Sequence, residues 1–147
     1  MSYPARRRPP KNFAFSVARL QAGGVIQPRA LVFYERLMPG SQLVNRLQDL
    51  NYRVLSLEAL DRLDATVQRE SPLLLFVDLV STGDVCAAIA ALRANPATAH
   101  LPVIGFAPEP SADLLAAARA AGVNIAVTET AVLNHLSQLI NQALDLD

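Results

Sequence analysis

Residues 73–78 read LLLFVD, five consecutive apolar residues closed by an aspartate. A strand covered by helices on both faces has no solvent side, so it loses the apolar/polar alternation and reads as an unbroken apolar run. The stretch therefore predicts a central parallel strand, Leu73–Asp78, with a carboxylate at its carboxyl end. Upstream, Ala30–Tyr34 is a β-rich run. A helical pattern follows from Ser41 with Leu43, Val44, Leu47 and Leu50 on one face. Arg53–Leu57 (RVLSL) predicts another strand, and Leu60, Leu63 and Val67 form the stripe of a helix ending near Arg69.

Downstream, Asp84 is a good N-cap for a helix carrying Val85, Ala88, Ile89 and Leu92, which Asn95-Pro96 stops. Pro102–Ala107 (PVIGFA) predicts the fourth strand. The turn Pro108-Glu109-Pro110-Ser111 delivers Ser111 as the cap of an alanine-rich helix over 112–121, and Gly122 ends it. Asn124–Val127 predicts a fifth strand, and Thr130 is placed to cap a last helix with Leu133, Leu136, Ile140 and Ala143 facing inward. Five successive strand–helix units joined by right-handed crossovers predict an α/β fold: a three-layer, doubly wound, parallel five-stranded sheet, flavodoxin-like, with strand order 2-1-3-4-5.

The length of 147 residues and the 52% apolar content suit one globular domain with a proper core. Cys86 is the single cysteine, so no intramolecular disulfide forms, and no second thiol stands at metal spacing beside His100 or His135. No apolar run approaches the roughly 20 residues that cross a bilayer, and no signal-peptide stretch follows the arginines at the start. A cytoplasmic protein without membrane insertion is the simplest expectation. The net charge of zero conceals a division. Residues 1–29 carry Arg6, Arg7, Arg8, Lys11, Arg19 and Arg29 with no acid, whereas the chain from Ala30 onward sums to −6. This asymmetry predicts a basic N-terminal arm over 1–28, partly extended, and a domain over 29–147.

From Arg29 to Asp147 the chain resembles the receiver domain of two-component response regulators, in a degenerate, pseudo-receiver form. The resemblance lies in LLLFVD as third strand, in LRANPATAHLPVIGFA as third helix, loop and fourth strand, and in AAARAAGVNIAV as fourth helix and fifth strand. The segment ALRANPATAHLPVI is the most telling. It joins a leucine-arginine pair to an Asn-Pro turn, a small-residue loop and a proline-led strand.

The resemblance implies that Asp78 stands at the phosphoacceptor position. Acidic residues after the first strand would hold magnesium, which suits carboxylate oxygens and neutralises a transferring phosphoryl group. Here those positions are Tyr34 and Glu35. The hydroxyl that usually ends the fourth strand aligns with Ala107, and the lysine after the fifth strand aligns with Glu129. A phosphoaspartate brings close to two negative charges, which Glu129 repels. Tyr34 is read as a plug of the former metal cleft. Two readings of Asp78 stand side by side: a strand-end carboxylate satisfied by backbone donors, or an altered ligand site with Glu35 and Ser81.

His100 and His135 have no partner at catalytic spacing and read as surface residues, and Cys86 reads as a small core residue. Met38-Pro39-Gly40-Ser41 has too little glycine for a nucleotide loop. The expectation is a non-catalytic pseudo-receiver that needs no cofactor or metal and acts as an interaction or signalling adaptor, or as an accessory subunit of a larger assembly. The alternatives are a single-domain response regulator phosphorylated on Asp78, and nucleic-acid association through the arm. For a protein partner the arm offers Arg6, Arg7, Arg8, Lys11, Phe13 and Phe15. The resemblance adds the face of the fourth helix, fifth strand and fifth helix, for a partner or a homodimer, with Asp113, Arg119, Asn134, His135 and Gln138.

Overall fold

A computed structural model describes residues 27–145. The elements in chain order are β1 (Arg29–Phe33), α1 (Leu37–Asp49), β2 (Arg53–Leu57), a 3-10 turn (Leu60–Arg62), α2 (Leu63–Glu70) and β3 (Leu74–Asp78). Then come α3 (Val85–Ala94), β4 (Val103–Ala107), α4 (Ala112–Ala121), β5 (Ile125–Thr128), α5 (Glu129–Asn134) and α6 (Leu136–Asp145). All pairings are parallel in the order β2-β1-β3-β4-β5, the flavodoxin-like topology expected from the sequence.

The unbroken apolar run of β3 is explained by what covers it. Leu75 and Val77 face a layer built from α2, α3 and α4, where Leu63, Val67, Ile89, Leu92 and Ala118 are buried. Leu74 and Phe76 face the other layer, where Leu43, Leu47, Val132, Leu136 and Ile140 are buried. Each Leu, Ile, Val or Phe among them, fully buried, contributes about 1.5–3 kcal/mol. The sheet therefore has no solvent face, and its polar chemistry is confined to the two edges where strands end.

Helix ends show where local reading succeeded and where it slipped. Asp84 caps α3 as expected, its Oδ1 accepting from the Ala87 amide at 2.9 Å. Gly122 closes α4 at φ +119°, a left-handed conformation that favours glycine. Ser111 stands at the N-cap of α4 but its hydroxyl donates to the Pro108 carbonyl instead, so it does not cap the helix. The last cap belongs to Thr128, whose Oγ1 accepts from the Ala131 amide at 3.2 Å, while Thr130 lies inside α5. The expected single last helix is broken at His135 into α5 and α6. Leu50 is 40% exposed at the end of α1 rather than on its inward face, because the helix ends one residue before it.

Candidate functional site at the carboxyl edge of the sheet

Asp78 ends β3 with no solvent exposure. A buried carboxylate requires donors or a counter-charge, and Asp78 has both. Its Oδ1 accepts from the Val80 amide at 3.1 Å, the backbone donor expected of a strand-end aspartate. The larger partner is Arg36, in the turn between β1 and α1, whose Nε donates to Oδ2 at 2.9 Å and whose Nη2 donates to Oδ1 at 2.7 Å. This two-pronged geometry is the strongest form of carboxylate recognition by a side chain.

Glu129, the first residue of α5, completes the group. Its Oε2 lies 2.6 Å from Arg36 Nη2 as an ion contact, although the alignment is not that of a hydrogen bond. One guanidinium thus bridges the ends of β3 and β5, and the ion triplet carries a net charge of −1. The hydrogen bond to Asp78 holds the Arg36 guanidinium above its already high ordinary pKa against a smaller opposing effect of burial, and the nearby Glu129 carboxylate adds to the rise.

Glu35 is turned away from Asp78. Its carboxylate accepts from the Thr82 amide at 2.9 Å and from the Thr82 and Ser81 hydroxyls. The Thr82 amide, more than the two hydroxyls, lowers its pKa. Glu35 and Ser81 are therefore together, as the ligand-site reading has it, but they fasten the loop after β3 rather than join Asp78. Ala107 ends β4 fully buried beside Thr128 of β5 and offers no hydroxyl.

Tyr34 does not plug the cleft over Asp78. Its ring lies over Gly40 at the start of α1, within the cluster of α1, α5 and α6. A Cβ at position 40 would fall 2.1 Å from Tyr34 Cδ2, so only glycine lets the helix come this close. Gly40→Ala is expected to cost about 1–3 kcal/mol by overpacking. Equilibrium urea unfolding checks this, and pairing it with Tyr34→Ala should recover part of the loss.

The donor set does not fit a magnesium ion. Both Asp78 oxygens meet a guanidinium, Glu35 is engaged elsewhere, and the described residues contain no group of three or more potential ligands. His100 and His135 are exposed and Cys86 is half-buried. The arm residues Arg6, Arg7, Arg8, Lys11, Phe13 and Phe15 lie outside the described residues. Among the described residues no helix is long and apolar enough to cross a membrane.

Sequence reasoning missed Arg36. The signal was available as charge: Glu35, Asp78 and Glu129 all follow strands that end at one edge, and a buried carboxylate there demands a cation. Arg36 is the one basic residue adjoining any of the three in sequence.

No protein-family model matches the sequence, and no curated protein matches it. Solved structures do. The receiver domain of NtrX from Brucella abortus superposes with a TM-score of 0.71 at 17% identity, covering 80% of this chain and 99% of that one. A response regulator from Thermotoga maritima gives 0.69 at 18% identity, covering 82% and 99%. The beryllofluoride-activated NtrC4 receiver domain dimer gives 0.69 at 18% identity, covering 80% and 96%. The chain therefore has the fold of response-regulator receiver domains, with an arginine seated on the aspartate that ends its central strand.

Proposed function

We propose that this chain is a receiver-fold signalling domain that works by non-covalent protein contact and not by phosphoryl transfer through Asp78. The observation that carries the proposal is the Arg36 fork on Asp78. Attack on a phosphoryl donor needs a carboxylate oxygen with a free lone pair facing the donor, and a cation arranged to take up charge on the transferring group. Here each oxygen already accepts from a charged donor, and Asp78 is wholly covered. Glu129 adds an unfavourable charge on the side where a phosphoryl group would sit. Arg36 takes the counter-charge role within the protein, so the pseudo-receiver reading gains a positive physical cause beyond missing residues.

The proposed contact surface is a set of exposed polar residues. Asp113 and Arg119 on α4, with Asn134, His135 and Gln138 around the break between α5 and α6, are all exposed. They form the face offered to a protein partner or a second copy, as an adaptor or accessory subunit, and one of the similar structures is itself a dimer. The domain is proposed to have no enzymatic activity of its own and to reside in the cytoplasm.

Incubation with magnesium and a small phosphodonor, followed by intact mass measurement, tests the proposal. The expected result is an unchanged mass. A stoichiometric gain of one phosphoryl group that disappears in Asp78→Asn would establish a working response regulator instead.

A further inference from the structure

Four large apolar side chains are conspicuously exposed among the described residues, and three of them belong to the two loops that meet at Asp78. Leu37 and Met38, 71% and 58% exposed, follow Arg36 directly. Val80, 38% exposed, lends its amide to Asp78. Exposed apolar side chains beside an ion group of net charge −1, in a loop region rich in carboxylates, are a surface that a cationic and apolar segment would cover.

The two edges of the sheet differ in charge. The loops at the carboxyl edge carry Glu35, Glu58, Asp61, Asp84, Glu109 and Glu129 against Arg36 and Arg62. At the opposite edge Arg29, Arg53 and Arg69 gather around Glu70 and act together to lower its pKa, Arg69 foremost through a hydrogen bond. The chain enters β1 at this basic edge. A cationic segment attached there is repelled by its surroundings and attracted to the far edge.

We propose that the patch of Leu37, Met38 and Val80 is the docking place of this chain's own residues 6–15. That segment supplies Arg6, Arg7, Arg8 and Lys11 with no acid, followed by Phe13 and Phe15. The cations answer the carboxylates of the edge, and the rings cover the exposed side chains, with Met38 offering a thioether to an aromatic ring. The span is within reach. A five-residue strand covers about 17 Å. The thirteen residues between Phe15 and Arg29 extend to about 45 Å at most. Tethering makes the contact intramolecular, with an effective concentration in the millimolar range. The docking stands whether or not Asp78 accepts a phosphoryl group.

The chain contains no tryptophan, so Phe13→Trp in the full-length protein installs a single reporter. At low salt its emission is expected to be blue-shifted, and to move to that of water-exposed indole at high salt. The same movement is expected at low salt when Leu37→Asp and Met38→Asp are added. Both side chains are exposed, so these changes leave the circular dichroism spectrum unchanged. Emission that is water-like at low salt, that ignores the patch substitutions, or whose shift depends on protein concentration overturns the proposal. The last of these would assign the patch to the arm of a second copy.

Discussion

Arg36→Ala is expected to destabilise the domain by about 3–5 kcal/mol, because it leaves the covered carboxylate of Asp78 with the neutral Val80 amide in place of a charged partner. The loss should not be read as the net worth of the ion pair. Taking both charges out of water costs several kcal/mol per ion, so much of the penalty is that of a stranded charge. The control is therefore Asp78→Asn in the Arg36→Ala background, which removes the stranded charge and should recover most of the loss. Urea unfolding of the four proteins in the cycle gives the coupling directly. If Arg36→Ala alone cost less than about 1 kcal/mol, the contact would be an ordinary surface ion pair. The claim that it occupies the site would then fail.

A variant outside that cycle separates Glu129 from Asp78. Arg36 Nη2 contacts both carboxylates, at 2.7 and 2.6 Å, yet only Asp78 is fully covered. Glu129→Gln should accordingly cost far less than Arg36→Ala, since its partly exposed carboxylate is screened by water. Read by itself, Glu129 is an acid where the resemblance implies a lysine, an apparent loss. Beside Arg36 it is one side of an ion contact: the cation of this edge stands in the loop after β1 and meets an anion at the start of α5.

Much of the fold was legible because it depends on composition along short windows. RVLSL coincides with β2 to the residue, and the apolar runs around it fall on β1, β3 and β4 within a residue or so. Parallel strands need only be apolar and covered, and the helices that cover them need only an apolar stripe. The capping errors came from a finer scale. Ser111 had a backbone carbonyl three residues back as well as a helix amide ahead, and Thr128 and Thr130 both stand near the start of α5. Short polar side chains choose between such neighbours by local dihedral angles, which windowed pattern does not encode.

The site was legible in position but not in partnership. Asp78 could be placed at the end of β3 because the run before it is unbroken. Its partner could not, because Arg36 and Asp78 are 42 residues apart and a long arginine side chain carries no periodic signature. Tyr34 illustrates the reverse failure. Its position beside the site suggested a plug, whereas the missing Cβ of Gly40 gave its ring a place on the core side of the same turn.

The segment that most suggested the fold, ALRANPATAHLPVI, owes its pattern to Arg93, and Arg93→Ala is expected to cost about 3 kcal/mol. The Arg93 guanidinium donates to the carbonyls of Gly122, Ala99 and Leu101 at 2.7–2.9 Å, and to Asn124 Oδ1 at 2.6 Å. That same Asn124 oxygen accepts from the Val103 amide at 2.8 Å. A single side chain therefore ties the end of α3 to the loop before β4 and to the turn before β5. Hydrogen bonds from a charged donor contribute about 1.5–3 kcal/mol each, and their sum is reduced because water can reach some of the abandoned carbonyls. The neighbouring residues serve the same loop. Asn95 Oδ1 accepts from the Ala97 amide, and the buried Thr98 hydroxyl donates to the Leu92 carbonyl at 2.7 Å. Arg93→Lys tests geometry against charge: one ammonium cannot reproduce a fork serving four acceptors, so lysine should recover less than half of the loss. Full recovery by lysine in thermal unfolding would show that charge at the end of α3, and not the fork, secures the edge of the sheet opposite Asp78.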